Sequence, residues 1–119
     1  MNPTTMRGPY PLKTEIVDTV VKKEEPGNYA IGSEAADGAF EVEHLGRSDS
    51  NLRARLKLWS SIVAKRMFFK FSYARSRKAA FEKECDEFHA YRTPGRHVHP
   101  APPNEEDWHC PVCGFPRTE

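Results

Sequence analysis

Residues 40–63 read FEVEHLGRSDSNLRARLKLWSSIV, and the hydrophobic period changes inside that stretch. Phe40, Val42 and His44 alternate with Glu41, Glu43 and Leu45, the two-residue repeat of a half-buried strand. From Leu52 the apolar positions recur as Leu52, Leu56, Trp59, Ile62 and Val63, which is helical spacing. Ser48, Asp49 or Ser50 stands where a helix cap is needed, and Arg53 and Lys57 fall off the apolar stripe. A strand therefore turns directly into an amphipathic helix.

Upstream, Pro26-Gly27 signals a turn, and Asn28 to Ile31 reads as a short strand ending at Gly32. With the turn signal at Asp37-Gly38 between them, the two strands should form a hairpin. Downstream, Met67, Phe69, Phe71 and Tyr73 alternate with Phe68, Lys70, Ser72 and Ala74, an aromatic third strand. A second helix is expected from about Ser76 to Tyr91, with Ala80, Phe81, Cys85 and Phe88 on one face and Thr93-Pro94-Gly95 stopping it. Thr14 to Val21 reads as either a short strand or a helix. The expected fold is α+β, a small three-stranded antiparallel sheet flanked by helices. Its parts are an N-terminal arm (1–25), a core (26–91) and an irregular, proline-rich tail (92–119).

A chain of 119 residues with 38% hydrophobic and 29% charged residues has room for one domain with a modest core. No apolar run is long enough to cross a bilayer, and residues 1–11 lack the hydrophobic segment of a secretory signal, so the expected compartment is the cytoplasm and no membrane partner is expected. Three cysteines, two of them in a Cys-x-x-Cys pair, favour metal binding over a disulfide framework.

The net charge of +1 conceals three blocks. Residues 1–46 hold four Lys/Arg against eight Asp/Glu, and residues 79–119 repeat that ratio. Between them, residues 47–78 hold ten Lys/Arg against the single acid Asp49, a balance of +9. Such a block is either a solvated helix face or a phosphate-binding surface. Whether it gathers on one face around Arg55 decides between the two.

The order strand, strand, helix, strand, helix, with the residues attached to it, resembles the GIY-YIG nuclease family over residues 26–91. Gly27-Asn28-Tyr29 with Ile31 stands where that family has its Gly-x-Tyr strand, and His44-Leu45-Gly46 stands where it has Tyr-x-Gly. Leu52 to Leu56 resembles the start of its first helix, and Ser76 to Glu84 resembles the helix that carries its catalytic acid. The resemblance implies a metal-dependent endonuclease acting on DNA, with RNA left open. It implies that Arg55 supplies positive charge to the transition state and that Glu84 or Glu82 holds one Mg²⁺. Glu84 is preferred, because it shares the Phe81–Phe88 face of its helix while Glu82 points about 160° away. Tyr29 and His44 complete the catalytic set, and Arg47, Arg53 and Lys57 are the expected phosphate contacts. His44 replaces the usual tyrosine of the second motif. It can act as general base, or it can mark a module that binds nucleic acid without cutting it.

Residues 108–114, WHCPVCG, resemble the metal knuckle of rubredoxins and zinc ribbons. Cys110 and Cys113 form half of a tetrahedral Zn²⁺ site. Cys85 and His89, four apart on the second helix, are the expected other half, with His99, His97 or His109 as replacements. The alternative keeps Cys85 as a core residue.

Overall fold

The computed structural model describes residues 6–63, 65–91 and 99–116, without the side chain of Tyr91. The expected helix stop at Thr93-Pro94-Gly95 and the alternative ligand His97 lie outside the described residues. Seven elements follow one another: β1 (Arg7–Pro11), α1 (Thr14–Val20), β2 (Gly27–Glu34), β3 (Phe40–Ser48), α2 (Leu52–Ile62), β4 (Phe68–Tyr73) and α3 (Arg77–Tyr91). The fold is α+β, as the periodicities imply.

The sheet has four strands, not three, in the order β1-β4-β2-β3 with every neighbouring pair antiparallel. The extra strand comes from the segment expected to be a peripheral arm: Tyr10 lies opposite Phe69, and Pro11 opposite Phe68. Pro9 and Pro11 cannot donate to a ladder, and at a sheet edge they need not. The rest of that segment forms α1, whose Val17 joins the main core together with Leu12 and Val21.

Alternation along β2 divides the structure into two faces. Tyr29 and Ile31 pack with Phe69, Phe71, Leu52 and Leu56 under α1 and α2, forming the main core. Asn28 and Ala30 face the other way, and Asn28 Nδ2 donates to the Ala80 carbonyl of α3 at 2.8 Å. That buried hydrogen bond, together with the Ala30–Leu45–Met6 cluster, fills the second face. A third, small cluster of Phe81, Cys85 and Cys110, with Trp108 and Cys113 against it, joins α3 to the C-terminal segment.

Both main helices start at side-chain caps. The cap of α2 is Asn51, one residue beyond the expected candidates, and its side chain accepts from the Ala54 N–H at 3.0 Å. Ser48 instead accepts from the Asn51 N–H at 2.9 Å, fixing the turn that feeds the cap. Ser76 Oγ accepts from the Ala79 N–H at the start of α3. Among the described residues no helix is long and apolar enough to cross a membrane.

Candidate active-site cleft and metal centre

Two chemically distinct sites lie along α3. The first is a polar cleft at the C-terminal end of β3, lined by Tyr29, Leu45, Gly46, Arg47, Ser48, Asp49, Ser50, Arg55 and Glu84. Because β3 is an edge strand, side chains from both faces of the sheet reach it. The register sets Tyr29 opposite Gly46, and any Cβ at position 46 would collide with the Tyr29 phenol, so glycine there lets the ring lie across the strand. Trp59 Nε1 donates to the Tyr29 hydroxyl oxygen at 2.8 Å. One lone pair of that oxygen is thereby occupied and its direction fixed.

Four of the expected residues meet here: Tyr29, Arg47, Arg55 and Glu84. Glu82 lines a different depression with Ala79, Lys83, Asp86 and Glu87, so of the two glutamates it is Glu84 that lines the cleft, beside Asp49. Arg55 is exposed and has no ion pair among the described residues. His44 is not part of the lining. Its ring packs on Trp59 with centroids 5.0 Å apart, so it supports the ring that holds Tyr29 and does not reach into the cleft.

Arg47 was expected on phosphate, and the structure gives it other work. Its Nε donates to Asp49 at 2.8 Å, one amino group to Glu84 Oε1 at 2.7 Å, and the other to the Ala101 carbonyl at 2.7 Å. The guanidinium also lies over the Phe81 ring at 5.1 Å. Burial opposes its charge, yet the hydrogen bonds to Asp49 and Glu84 outweigh burial and raise its pKa above the ordinary arginine value. A positive charge is therefore permanent beside Glu84.

Hydrogen bonds and ion pairs draw the +9 block apart. Arg53 and Lys57, one helical turn apart on α2, both reach Asp18 of α1, at 2.7 and 3.0 Å. They share a helix face about 160° from Arg55. Arg77 pairs with Glu105 and Glu106, Lys65 with Glu43, and the buried Lys70 lies over the Phe40 ring. The ten cations do not form one face around Arg55.

The second site is built by His89, His99, Cys110 and Cys113, whose ligand atoms all lie within 4.8 Å of one another. His89 Nε2 is 3.2 Å from His99 Nε2 and 3.4 Å from Cys110 Sγ, and His99 Nε2 is 3.4 Å from Cys113 Sγ. A tetrahedral zinc ion with ordinary bond lengths has edges of about 3.3 Å between nitrogens and about 3.6 Å between nitrogen and sulfur, so the donors fit. This group can hold a metal ion. The Pro100 carbonyl accepts from His99 Nδ1 at 2.7 Å, which leaves Nε2 as the ligand atom.

The knuckle is formed by its own backbone. Val112 N–H points at Cys110 Sγ at 3.3 Å, and Gly114 N–H bonds the Cys110 carbonyl at 2.9 Å. Gly114 takes a φ of +79°, a left-handed conformation natural to glycine. Burial opposes the Cys110 thiolate, but the backbone N–H groups of Cys113 and Val112 and the rings of His89 and His99 outweigh it, bringing the thiol down to about 6. That favours metal ligation.

The ligand set corrects one expectation, since His99 takes the place assigned to Cys85. Cys85 is fully buried in the Phe81 cluster, where burial first and the neighbouring Cys110 second push its thiol upward. Cys85 touches Cys110 from within the Phe81 cluster, while His89 Nε2 and His99 Nε2 face the Cys110 and Cys113 thiols. His109 turns away and donates to the Pro116 carbonyl at 2.7 Å. Comparison with family models, curated proteins and solved structures finds no match for this chain.

Proposed function

We propose that the chain is a metal-dependent endonuclease that hydrolyses DNA phosphodiester bonds, with a structural zinc ion in its C-terminal segment. The observation that carries this reading is the convergence of Tyr29, Arg55 and Glu84 on one polar cleft from β2, α2 and α3. Hydrolysis of a phosphodiester needs a directed water and positive charge on the pentacoordinate transition state. The exposed Arg55 guanidinium binds the phosphate oxygens, and the Tyr29 hydroxyl, held by Trp59, directs the water.

Mg²⁺ takes one or two carboxylates and keeps several waters and substrate oxygens. Glu84 and Asp49, both lining the cleft, supply oxygens of that kind and would hold the ion, which when bound adds charge against the developing phosphorane. Zinc suits the other site, because mixed nitrogen and sulfur donors match its borderline softness and four protein ligands close it to substrate.

A second reading has its own observation. Arg47 already neutralises Glu84 at 2.7 Å, so a divalent ion competes with a resident cation for that carboxylate. A cleft that keeps the pair intact binds nucleic acid through Arg55 without cutting it. Nicking of supercoiled plasmid separates the two. The nuclease reading expects open circles that require Mg²⁺ and disappear in Glu84→Ala. Retention of the plasmid on the protein with no nicking at any Mg²⁺ concentration decides for the binding module.

A further inference from the structure

We propose that Arg47 is a positioning residue that couples the metal-held C-terminal segment to the cleft, so that metal binding sets the placement of Glu84. The inference rests on the reading of Glu84 as the functional acid only for its activity arm.

The argument begins with the guanidinium as a rigid, planar fork with five donors. Three of its directions are used, each on a different part of the chain: Asp49 after β3, Glu84 on α3 and the Ala101 carbonyl in the C-terminal segment. The Arg47 and Glu84 side chains are only 12% and 6% exposed, so water does not readily replace a partner lost between these two, whereas the bond to the Ala101 carbonyl lies at the surface. Moving one acceptor therefore turns the whole fork, and the Glu84 carboxylate must follow or leave a half-buried donor unpaired.

Ala101 is the acceptor whose position depends on the metal. It stands two residues after the ligand His99, and Pro100 between them accepts from the His99 ring. Apart from the metal group, this segment is tied to α3 by the small Phe81 cluster, by the His99 ring 4.8 Å from that of Phe88, and by Arg77, which pairs with Glu105 and Glu106 and lies 5.7 Å from the Trp108 ring centroid. Exposed pairs of that kind hold little. Without the metal, His99 is held beside His89 and Cys113 by hydrogen bonds and by its ring contacts with Phe88 and Phe115, and Ala101 loses the strongest part of its anchor. With the metal, a carbonyl is fixed against Arg47.

Nuclear magnetic resonance of the zinc-loaded full chain tests this, with the Arg47 Nε–H and the Glu84 side-chain carboxyl carbon as probes. Treatment with a zinc-selective chelator should shift or broaden both signals in the wild-type protein. In Arg47→Lys, zinc should remain bound at one per chain, and chelation should no longer move the Glu84 signal. Nicking with Mg²⁺ restored after chelation should fall about tenfold in the wild type and change less than twofold in Arg47→Lys. A Glu84 signal that ignores chelation in the wild type, or that responds equally in both proteins, overturns the coupling. If Arg47→Lys does not fold, an Arg47 Nε–H resonance unmoved by chelation of the wild type overturns it as well. Absence of nicking removes the activity arm and the nuclease reading together, and leaves the resonance arm standing.

Discussion

Glu84 and His89 sit five residues apart on α3, yet the sites they serve are held by different physics. The cleft draws Tyr29 from β2, Gly46 and Arg47 from β3, Arg55 from α2 and Glu84 from α3, strands of one sheet and helices packed on its two faces. The metal group draws His89 from α3 and its other three ligands from residues 99–113, a stretch without helix or strand. Its apolar support is the small cluster of Phe81, Cys85 and Cys110 with two flanking side chains, and the rings of Phe88 and Phe115 against His99. A site on a packed sheet keeps its shape empty; a site on a loop takes its shape from the ligand it binds.

Metal removal is the strongest way to break that contrast. Zinc in a structural site contributes roughly 10 to 16 kcal/mol of apparent binding free energy, more than a whole small domain typically has to spare. Cys110→Ser should lose the ion, and amides of residues 99–116 should exchange freely while those of β2 and β4 stay protected. Cys85→Ala should keep one zinc per chain, because Cys85 belongs to the Phe81 cluster and not to the ligand group. Metal analysis with hydrogen exchange on both variants checks this. Zinc lost from Cys85→Ala, or global unfolding of Cys110→Ser, would merge the two sites into one unit.

The next effect in size belongs to the cleft. Arg55→Ala and Glu84→Ala should each lower nicking by about 10² to 10³, the usual loss when one transition-state charge partner is removed. Zinc content should stay near that of the unaltered protein in both, since neither residue is a ligand; the melting temperature should stay near it in Arg55→Ala, whose side chain is exposed, and fall in Glu84→Ala, which leaves the half-buried Arg47 without its partner. If Glu82→Ala lowered nicking as much as Glu84→Ala, the register of α3 would carry no information about the chemistry. A Glu84→Ala protein that lost zinc would show the sites to be less separate than their scaffolds suggest.

The sequence predicts these two regions unequally well, for a reason of the same kind. Strand and helix order from Asn28 to Tyr91 is readable because period two gives way to helical spacing at Leu52 and again after Tyr73, and local patterning reports local structure. Strand β1 escapes such reading because Pro9 and Pro11 suppress the strand signal, and only pairing with β4 makes the segment a strand. The knuckle announces half the metal group through spacing. The other half depends on where a proline-rich segment runs, which no periodicity encodes, and so His99 displaces Cys85 as the ligand. Glu84 over Glu82 was legible from helix geometry; the stacking of His44 on Trp59 was not, since it is a contact between β3 and α2 side chains.

Charge is where composition misleads most, and it yields the smallest and most discriminating effect. Counting gives +9 between Arg47 and Lys78, but a count carries no direction. Arg53 and Lys57 are turned to Asp18, whose carboxyl is held below its ordinary range by hydrogen bonds from Lys57 first and Arg53 second. A depressed carboxyl pKa means that the interaction is present above the unfolded value of 3.8 and is lost as the pH falls through the folded value, so both cations are engaged at neutral pH. Phosphate must then compete with a resident carboxylate. Replacing both Arg53 and Lys57 by Gln should change DNA affinity by less than about twofold, whereas Arg55→Gln should weaken binding to all sequences alike and lower the salt slope by about one. Asp18→Asn is the sharper probe, because it frees Lys57 and leaves Arg53 only the longer contact with Glu24 at 3.8 Å, without adding a cation. It should tighten DNA binding modestly and steepen the salt dependence, as each freed cation becomes able to displace a condensed counterion. Titrations of a fluorescent duplex at several salt concentrations measure all of these. A large loss in the double Gln variant, with Asp18→Asn unchanged, would return the block to a single phosphate-binding surface and remove the distinction between the two faces of α2.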